Sequence, residues 1–278
     1  MLLELHAHSY YSHREKVKFD GTTSPANMIQ AAAAKGINAI ALTDHNTTMG
    51  WKEAKAAAKK LGIEFIPGEE VDSADGHVLA HNITETIRPG MPLEETVDKI
   101  HQQGGIAVAS HPFDIKNDGT GKKSLACDAL EAFNAINFDR LSNKRCLKFA
   151  KINRKPVTAG SDAHAPYMIG RGLTRVDAGS VDSAIKEIIK GRTSLVAKYQ
   201  PISNVMRWSI DKLKMSEQDI LSYIDDNYSW PKSMLSRFML ATTKSSPGKI
   251  DVFYKGLAYV SLGSVITYSF FRNMKYVF

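Results

Sequence analysis

Cysteine is nearly missing from this chain: Cys127 and Cys146 are the only two in 278 residues. They form no Cys-x-x-Cys pair and lie apart from the histidines, which excludes a disulfide framework and a thiolate metal site. Both are expected to be buried thiols in a reducing compartment. No run of five or more like charges occurs despite a net charge of +7, so no nucleic-acid-binding arm is present. A continuous basic track interleaved with aromatics, as a strand-binding surface would need, is also missing. The longest uncharged stretch near the C-terminus, Gly256 to Phe271, is rich in Tyr, Ser and Gly. It falls short of the roughly 20 predominantly apolar residues of a spanning helix. A packing helix is expected there, with an interfacial, membrane-associated helix as the alternative. Met1-Leu2-Leu3-Glu4-Leu5 carries no basic segment leading into an apolar run, so no secretory leader is expected and the cytoplasm is the expected compartment.

Histidine is the most unevenly distributed residue. All nine precede residue 165. Seven of them recur beside carboxylates in the order His6-Ala7-His8, His13, Asp44-His45, Glu70, His77, His111 and Asp162-Ala163-His164. Imidazole and carboxylate suit zinc, manganese and iron, so the series is expected to hold more than one divalent ion.

Short apolar runs alternate with amphipathic stretches. Strands are expected at 2–5, 39–42, 64–66, 77–80, 106–109, 129–133 and 156–158, with a last one within 191–198. Helices are expected at 26–35, 51–61, 93–103 and 140–153. Ser24-Pro25 is a helix start, because Ser24 can cap free amides and Pro25 suits the first helical position. Gly36 and Gly62 sit where a left-handed residue ends a helix. The alternation argues for parallel strands. His6, Asp44, Glu70, His111 and Asp162 each fall at or just beyond a strand end. Five strand ends converge at the mouth of a closed barrel but not in an open sheet, so a barrel is expected. Residues 1–199 are expected to form it. Residues 200–278 are expected to form a helical extension that starts at a linker, Gln200-Pro201-Ile202-Ser203, with helices at 204–214, 217–226 and 231–242 and Ser216 capping the second.

Each piece has a bland reading alone: a His-x-His at a strand end, a capping Asp beside a surface His. Taken together and in order they do not. Asp44 and His45 follow a strand, where one can ligate while the other orients a neighbouring imidazole. Glu70 rather than Glu69 is expected to face inward, because strand alternation turns adjacent side chains apart. A carboxylate with two oxygens can bridge two ions. Pro112 stiffens the turn that presents His111. His81 and His101 are expected to be structural.

Leu5-His6-Ala7-His8-Ser9, Thr43-Asp44-His45, Pro67-Gly68-Glu69-Glu70, Ser110-His111-Pro112 and Gly160-Ser161-Asp162-Ala163-His164 together resemble the PHP (polymerase and histidinol phosphatase) family over about residues 1–198. The resemblance implies a distorted (β/α)7 TIM-like barrel with two or three ions (Zn, Mn or Fe) at its C-terminal mouth. It implies a first ion on His6, His8, Glu70 and Asp162, a second on Glu70, His77 and His111, and a third on His13, His45 and His164. Glu4 stands where the family has Asp. His13 stands where many members have an Asp-Gly turn that Asp20-Gly21 resembles, so either His13 or Asp20 completes the third set.

The implied activity is hydrolysis of a phosphate ester by a metal-bridged hydroxide, with Asp44, Glu70, Asp162 and His164 in catalytic roles. Arg14, Lys16, Lys18 and Arg171 follow ligand loops and are candidates for phosphate contact, Arg14 and Arg171 foremost. The expected substrate is a small phosphorylated metabolite or a nucleotide. The alternatives are a nuclease on longer strands, a histidinol phosphatase, or a non-catalytic metal-binding module tethered to a membrane or partner.

Overall fold

Nine strands form one sheet among the described residues of a computed structural model, which covers 1–14 and 17–277, the side chains of 275 and 277 aside. In chain order they are β1 (Leu2–Glu4), β2 (Ala39–Leu42), β3 (Glu64–Ser73), β4 (Gly76–His81), β5 (Ile106–Ala109), β6 (Ala129–Asn134), β7 (Val157–Gly160), β8 (Gly172–Arg175) and β9 (Ser194–Ala197). The order across the sheet is β7-β6-β5-β4-β3-β2-β1-β8-β9. The sheet curls until β7 meets β8, where Thr174 Oγ1 accepts the Ala159 N–H at 2.9 Å and donates to the Ala159 carbonyl at 3.1 Å. The barrel is thus nearly closed, by a side chain rather than a backbone ladder. A Cβ on Gly172 would lie 2.0 Å from the Gly160 carbonyl oxygen, so only glycine permits this approach.

The expected barrel is present, but it has nine strands rather than seven and they are not all parallel. β1–β2, β2–β3, β5–β6 and β6–β7 are parallel; β3–β4, β4–β5, β1–β8 and β8–β9 are antiparallel. β3 changes partners along its length. Residues 64–67 pair with β2, then 68–73 run past the end of β2 and pair with β4 through a tight turn. A ten-residue strand therefore stands where a three-residue one is expected, and it carries Glu70 up into the mouth.

Alternation sorts the core. Leu3, Leu5, Ala39, Ala41, Ile66, Leu79 and Val108 share one buried cluster, whereas Ile40 and Leu42 pack with Met28, Ile29 and Ala32. The latter three belong to α1 (Pro25–Ala34), which is capped by Ser24 Oγ accepting the Asn27 N–H. The other barrel helices are α2 (Trp51–Leu61), ended by Gly62 at φ 70°, α3 (Leu93–Gln102), α4 (Leu141–Asn153) and α5 (Val181–Ile189). Cys127 and Cys146 are buried free thiols, and burial pushes Cys127 up to about 12.

The extension consists of α6 (Ile202–Met215), α7 (Glu217–Asn227), α8 (Lys232–Thr243) and α9 (Ile250–Val277). Its start is no solvated linker: Gln200 is buried, donating its side-chain N–H to the Met168 carbonyl, and Ile202 already begins α6. Ser216 does not cap α7; its hydroxyl accepts the Phe19 N–H from the barrel. α9 is clamped to the mouth loops, with Ser269 donating to Asp139 and Arg272 to the Asp114 carbonyl and Asn117. No helix among the described residues is long and apolar enough to cross a membrane.

Candidate metal centre

Three mouth loops carry non-glycine residues in left-handed backbone: Asn46 (φ 53°), His111 (φ 28°) and Asp162 (φ 50°). Such backbone is costly and persists where surrounding contacts enforce it, often at functional sites. Here it turns His111 and Asp162 toward the barrel axis.

At the centre lies Glu70. Its Oε2 is 3.3 Å from His6 Nε2, 3.3 Å from His8 Nε2 and 3.4 Å from His45 Nε2. Its Oε1 is 3.1 Å from His77 Nδ1, 3.3 Å from His111 Nε2, and accepts the Ser110 hydroxyl at 2.8 Å. One carboxylate thus faces two sets of imidazoles. Glu69 turns the other way, accepting the Ile87 N–H; it is fully buried, and burial lifts it to about 7.

The outer ring nitrogens fix the tautomers. His6 Nδ1 is 2.8 Å from Glu131 Oε1, so Nδ1 carries the proton and Nε2 presents a lone pair. His8 Nδ1 is 2.9 Å from Ser12 Oγ; assigning it the ring proton leaves a lone pair on its Nε2 too. These two nitrogens are 3.0 Å apart. Asp162 Oδ1 lies 3.4 Å from the first and 3.5 Å from the second. His6 Nε2, His8 Nε2 and Glu70 Oε2 are therefore three lone-pair atoms crowded together, with Asp162 Oδ1 beside the two imidazole nitrogens. Ligands about 2.1 Å from a tetrahedral ion stand about 3.4 Å from one another, so the spacing fits a divalent cation. His164 gives the same signal. Its Nδ1 is 2.8 Å from the Asp162 carbonyl, while its Nε2 faces Asp20 Oδ2 at 3.1 Å.

The electrostatics agree. Burial opposes charge on His6, yet Asp162, Glu131 and Glu70 outweigh it and hold the imidazole well above its ordinary range. Against the same burial penalty, Asp162 and Glu70 hydrogen-bond His8 and carry it to about 9. Burial works against ionisation of Glu70 as well, but His45, His6 and His77 keep its carboxyl far below the usual range. Such a nest of carboxylates binds positive charge. Among the described residues, the buried ring nitrogens His45 Nδ1, His77 Nδ1 and His111 Nδ1 make no well-aligned hydrogen bond, although a carboxylate oxygen lies 3.4 Å from the first and 3.1 Å from the second.

His6–His8–Glu70, His8–Asp162–His164 and His45–Glu70–His77 each bring ligand atoms within 4.8 Å of one another. His45 groups with Glu70 and His77, not with His164. His13 stays outside: it is exposed, bridged to Phe19 and packed edge-on against that ring at 5.5 Å. Asp20 is the residue that reaches His164. Asp44 is buried away from the cavity, its oxygens accepting the Ser9 N–H and O–H at 2.6 and 2.7 Å, so it holds the first loop. Glu4 ties β1 to the β7 loop by accepting the Ser161 and Gly170 N–H groups. Arg14 lines the cavity and reaches His45 Nε2 at 2.7 Å; Arg171 is not among its lining residues, Lys18 is exposed, and Lys16 lies outside the described residues. His81 is buried in β4, and His101 pairs with Asp128.

Sequence reasoning missed Glu131, which also accepts the His111 N–H, and Asp72, whose Oδ1 is 3.4 Å from His45 Nδ1 and 3.3 Å from His77 Nε2. A lone Glu within the apolar strand Leu130-Glu131-Ala132 was the available signal. The cavity above these groups has a volume of about 510 Å³ and is walled by Lys116, Ile136, Phe138, Val205, Trp208, Lys212 and Val265.

A model of the PHP domain matches residues 4–190. The chain is 37% identical over 153 residues to an uncharacterised protein of Methanocaldococcus jannaschii, covering 53% of this chain and 90% of that one. It is 32% identical to a 5'-3' exoribonuclease of Haemophilus influenzae (44% of each chain) and 39% identical to a 3',5'-nucleoside bisphosphate phosphatase of Chromobacterium violaceum (32% of this chain, 29% of that one). The matched part thus spans less than half the length of either enzyme. Among solved structures, a two-domain Bacteroides vulgatus protein containing a predicted PHP-like metal-dependent phosphoesterase superposes with a TM-score of 0.59 at 18% identity, over 77% of this chain and 70% of that one, which supports the fold. The chain belongs to the PHP domain family.

Proposed function

We propose that the centre hydrolyses a phosphate ester of a small metabolite or a nucleotide, with divalent ions held by His6, His8, Glu70 and Asp162 and by Glu70, His45, His77 and His111, and with Asp20 and His164 completing a further position. The observation that carries this is the crowding of His6 Nε2, His8 Nε2 and Glu70 Oε2 at 3.0–3.3 Å, with Asp162 Oδ1 at 3.4–3.5 Å from both nitrogens and the second oxygen of the same Glu70 facing a second imidazole set. Divalent ions supply a Lewis acid for phosphoryl oxygens and a nucleophile from water at neutral pH.

The chain's own residues do the rest. Glu131 and Ser12 fix the rings of His6 and His8, so that no reorganisation is needed when charge develops on the substrate. Arg14, Lys116 and Lys212 border the cavity and offer positive charge to the outer phosphate oxygens. His164, held through Nδ1 by the Asp162 carbonyl, borders the same cavity and turns Nε2 toward Asp20, which suits it to the further position. Ile136, Phe138, Val205 and Val265 form an apolar wall opposite the charged floor, suited to the organic part of a compact ester. A cavity of about 510 Å³ falls within the range that small molecules occupy. The Haemophilus relative's named activity makes a nuclease acting on a strand end the second reading.

The test is a Mn²⁺- or Zn²⁺-supplemented screen of purified protein against nucleotides, bisphosphates, histidinol phosphate and short oligonucleotides. His6→Ala and Asp162→Ala are expected to lose at least about 100-fold in kcat/KM while their circular dichroism stays native. Undiminished turnover in both would refute the assignment. Oligonucleotides turned over much faster than mononucleotides would favour the second reading.

A further inference from the structure

The family match ends at residue 190, yet one face of α6, beyond it, grips the centre. Trp208, Lys212 and Ser216 are spaced four residues apart, which places them on one side of the helix and its end. Trp208 Nε1 donates to the Asp20 carbonyl at 2.7 Å, and its ring packs on His164 with centroids 4.4 Å apart. Lys212 Nζ is 3.2 Å from Asp20 Oδ1 and lies over the Trp208 ring at 4.1 Å. Ser216 Oγ accepts the Phe19 N–H at 3.1 Å, one residue before Asp20. Three successive turns thus hold Phe19, Asp20 and His164. Trp208 is only 7% exposed and covered on both faces, so it is a buttress and not a stacking platform for substrate.

We infer that α6 of the C-terminal extension is a positioning element of the catalytic centre: Trp208, Lys212 and Ser216 hold Asp20 against His164, and Lys212 sets how strongly that pair attracts a cation. This rests on the reading of the centre as an ion site. The barrel side ties down the Asp20 backbone, whose N–H donates to the Ser12 carbonyl at 2.9 Å, while its buried carboxylate meets His164 at 3.1 Å, Arg14 at 3.7 Å and, from α6, Lys212. The two side chains act with opposite sign. The Trp208 N–H orients the ligand residue and should favour ion binding. The Lys212 ammonium sits beside the carboxylate and should oppose it, because like charges repel strongly in a buried site.

The experiment is a titration of chelator-dialysed full-length protein with Mn²⁺, with bound ions counted by mass spectrometry and melting temperature measured alongside. Trp208→Phe, which keeps an aromatic ring and removes the N–H, is expected to weaken the loosest ion by about 10-fold or more and leave the tighter ions unchanged. Lys212→Met, which keeps the stem and removes the charge, is expected to tighten that same ion. A helix that merely packed on the barrel would move neither affinity, or both in parallel with melting temperature, and either result overturns the inference. If the unaltered chain binds no ion, the reading of the centre itself has failed, which is a different outcome.

Discussion

Histidine protons decide much of this molecule's behaviour, and a buried histidine outside the ion-binding groups gives the cleanest test. His81 is buried in β4 with neither ring nitrogen hydrogen-bonded, and burial pulls it down to about 3. An unfolded histidine titrates near 6.5. Above that pH the ring is neutral in both states and contributes no pH dependence. As pH falls from about 6.5 toward 3, only the unfolded state gains the proton, so stability is lost across that window. Metal-free protein is expected to lose about 2 kcal/mol more between pH 7 and pH 5 than His81→Leu does, measured by urea unfolding. Equal losses in the two proteins would show that His81 is not buried neutral. The mouth residues differ in how legible they were. His6, His8, His45, His77, His111, His164 and both Glu70 and Asp162 stood out because each interrupts an apolar strand end. Asp20 was named only as the alternative to His13, and Asp72 and Glu131 did not stand out, because an isolated carboxylate acquires meaning only from partners far along the chain: His6 for Glu131, His45 and His77 for Asp72. His13 misled for the reverse reason, since its spacing is right but its β-bridge turns it outward.

Elements were legible where one face decides them. The periodicity of α1, α2, α3 and α4 placed them within a residue or so, and the strands β2 and β5 fell where their apolar runs predict. β3 was cut short because Pro67-Gly68 reads as a strand end; the strand continues through both by exchanging its partner from β2 to β4. β8 and α5 were missed altogether. β8 is four residues long, and it owes its place to Gly172 lying against Gly160, a contact between distant segments that no local pattern carries. Gly172→Ala is therefore expected to destabilise the fold by about 1–3 kcal/mol or more, because its Cβ would overlap backbone that cannot step aside. Gly179→Ala, where a Cβ meets nothing within 4 Å, is expected to be neutral. Comparison of their urea midpoints checks this. A Gly172→Ala protein as stable as Gly179→Ala would mean the barrel does not close there.

At the scale of the whole molecule, barrel and extension share one cavity. The barrel supplies the imidazole and carboxylate floor, and α6 and α9 supply the opposing wall through Val205, Trp208, Lys212 and Val265. The sequence showed the two parts as distinct because histidine stops at residue 164 and the helical stretches begin near 200. Their union was not visible, since it depends on single long-range contacts such as Trp208 with Asp20 and Arg272 with the Asp114 loop. The Glu70 cluster is expected to hold divalent ions, and anomalous diffraction from crystals grown with Mn²⁺ or Zn²⁺ would locate them. Peaks are predicted within about 2.3 Å of His6 Nε2, His8 Nε2, Glu70 Oε2 and Asp162 Oδ1, with a second peak on the Glu70 Oε1 side near His77 and His111. A map with no peak at either oxygen of Glu70, at millimolar metal and neutral pH, would contradict the account.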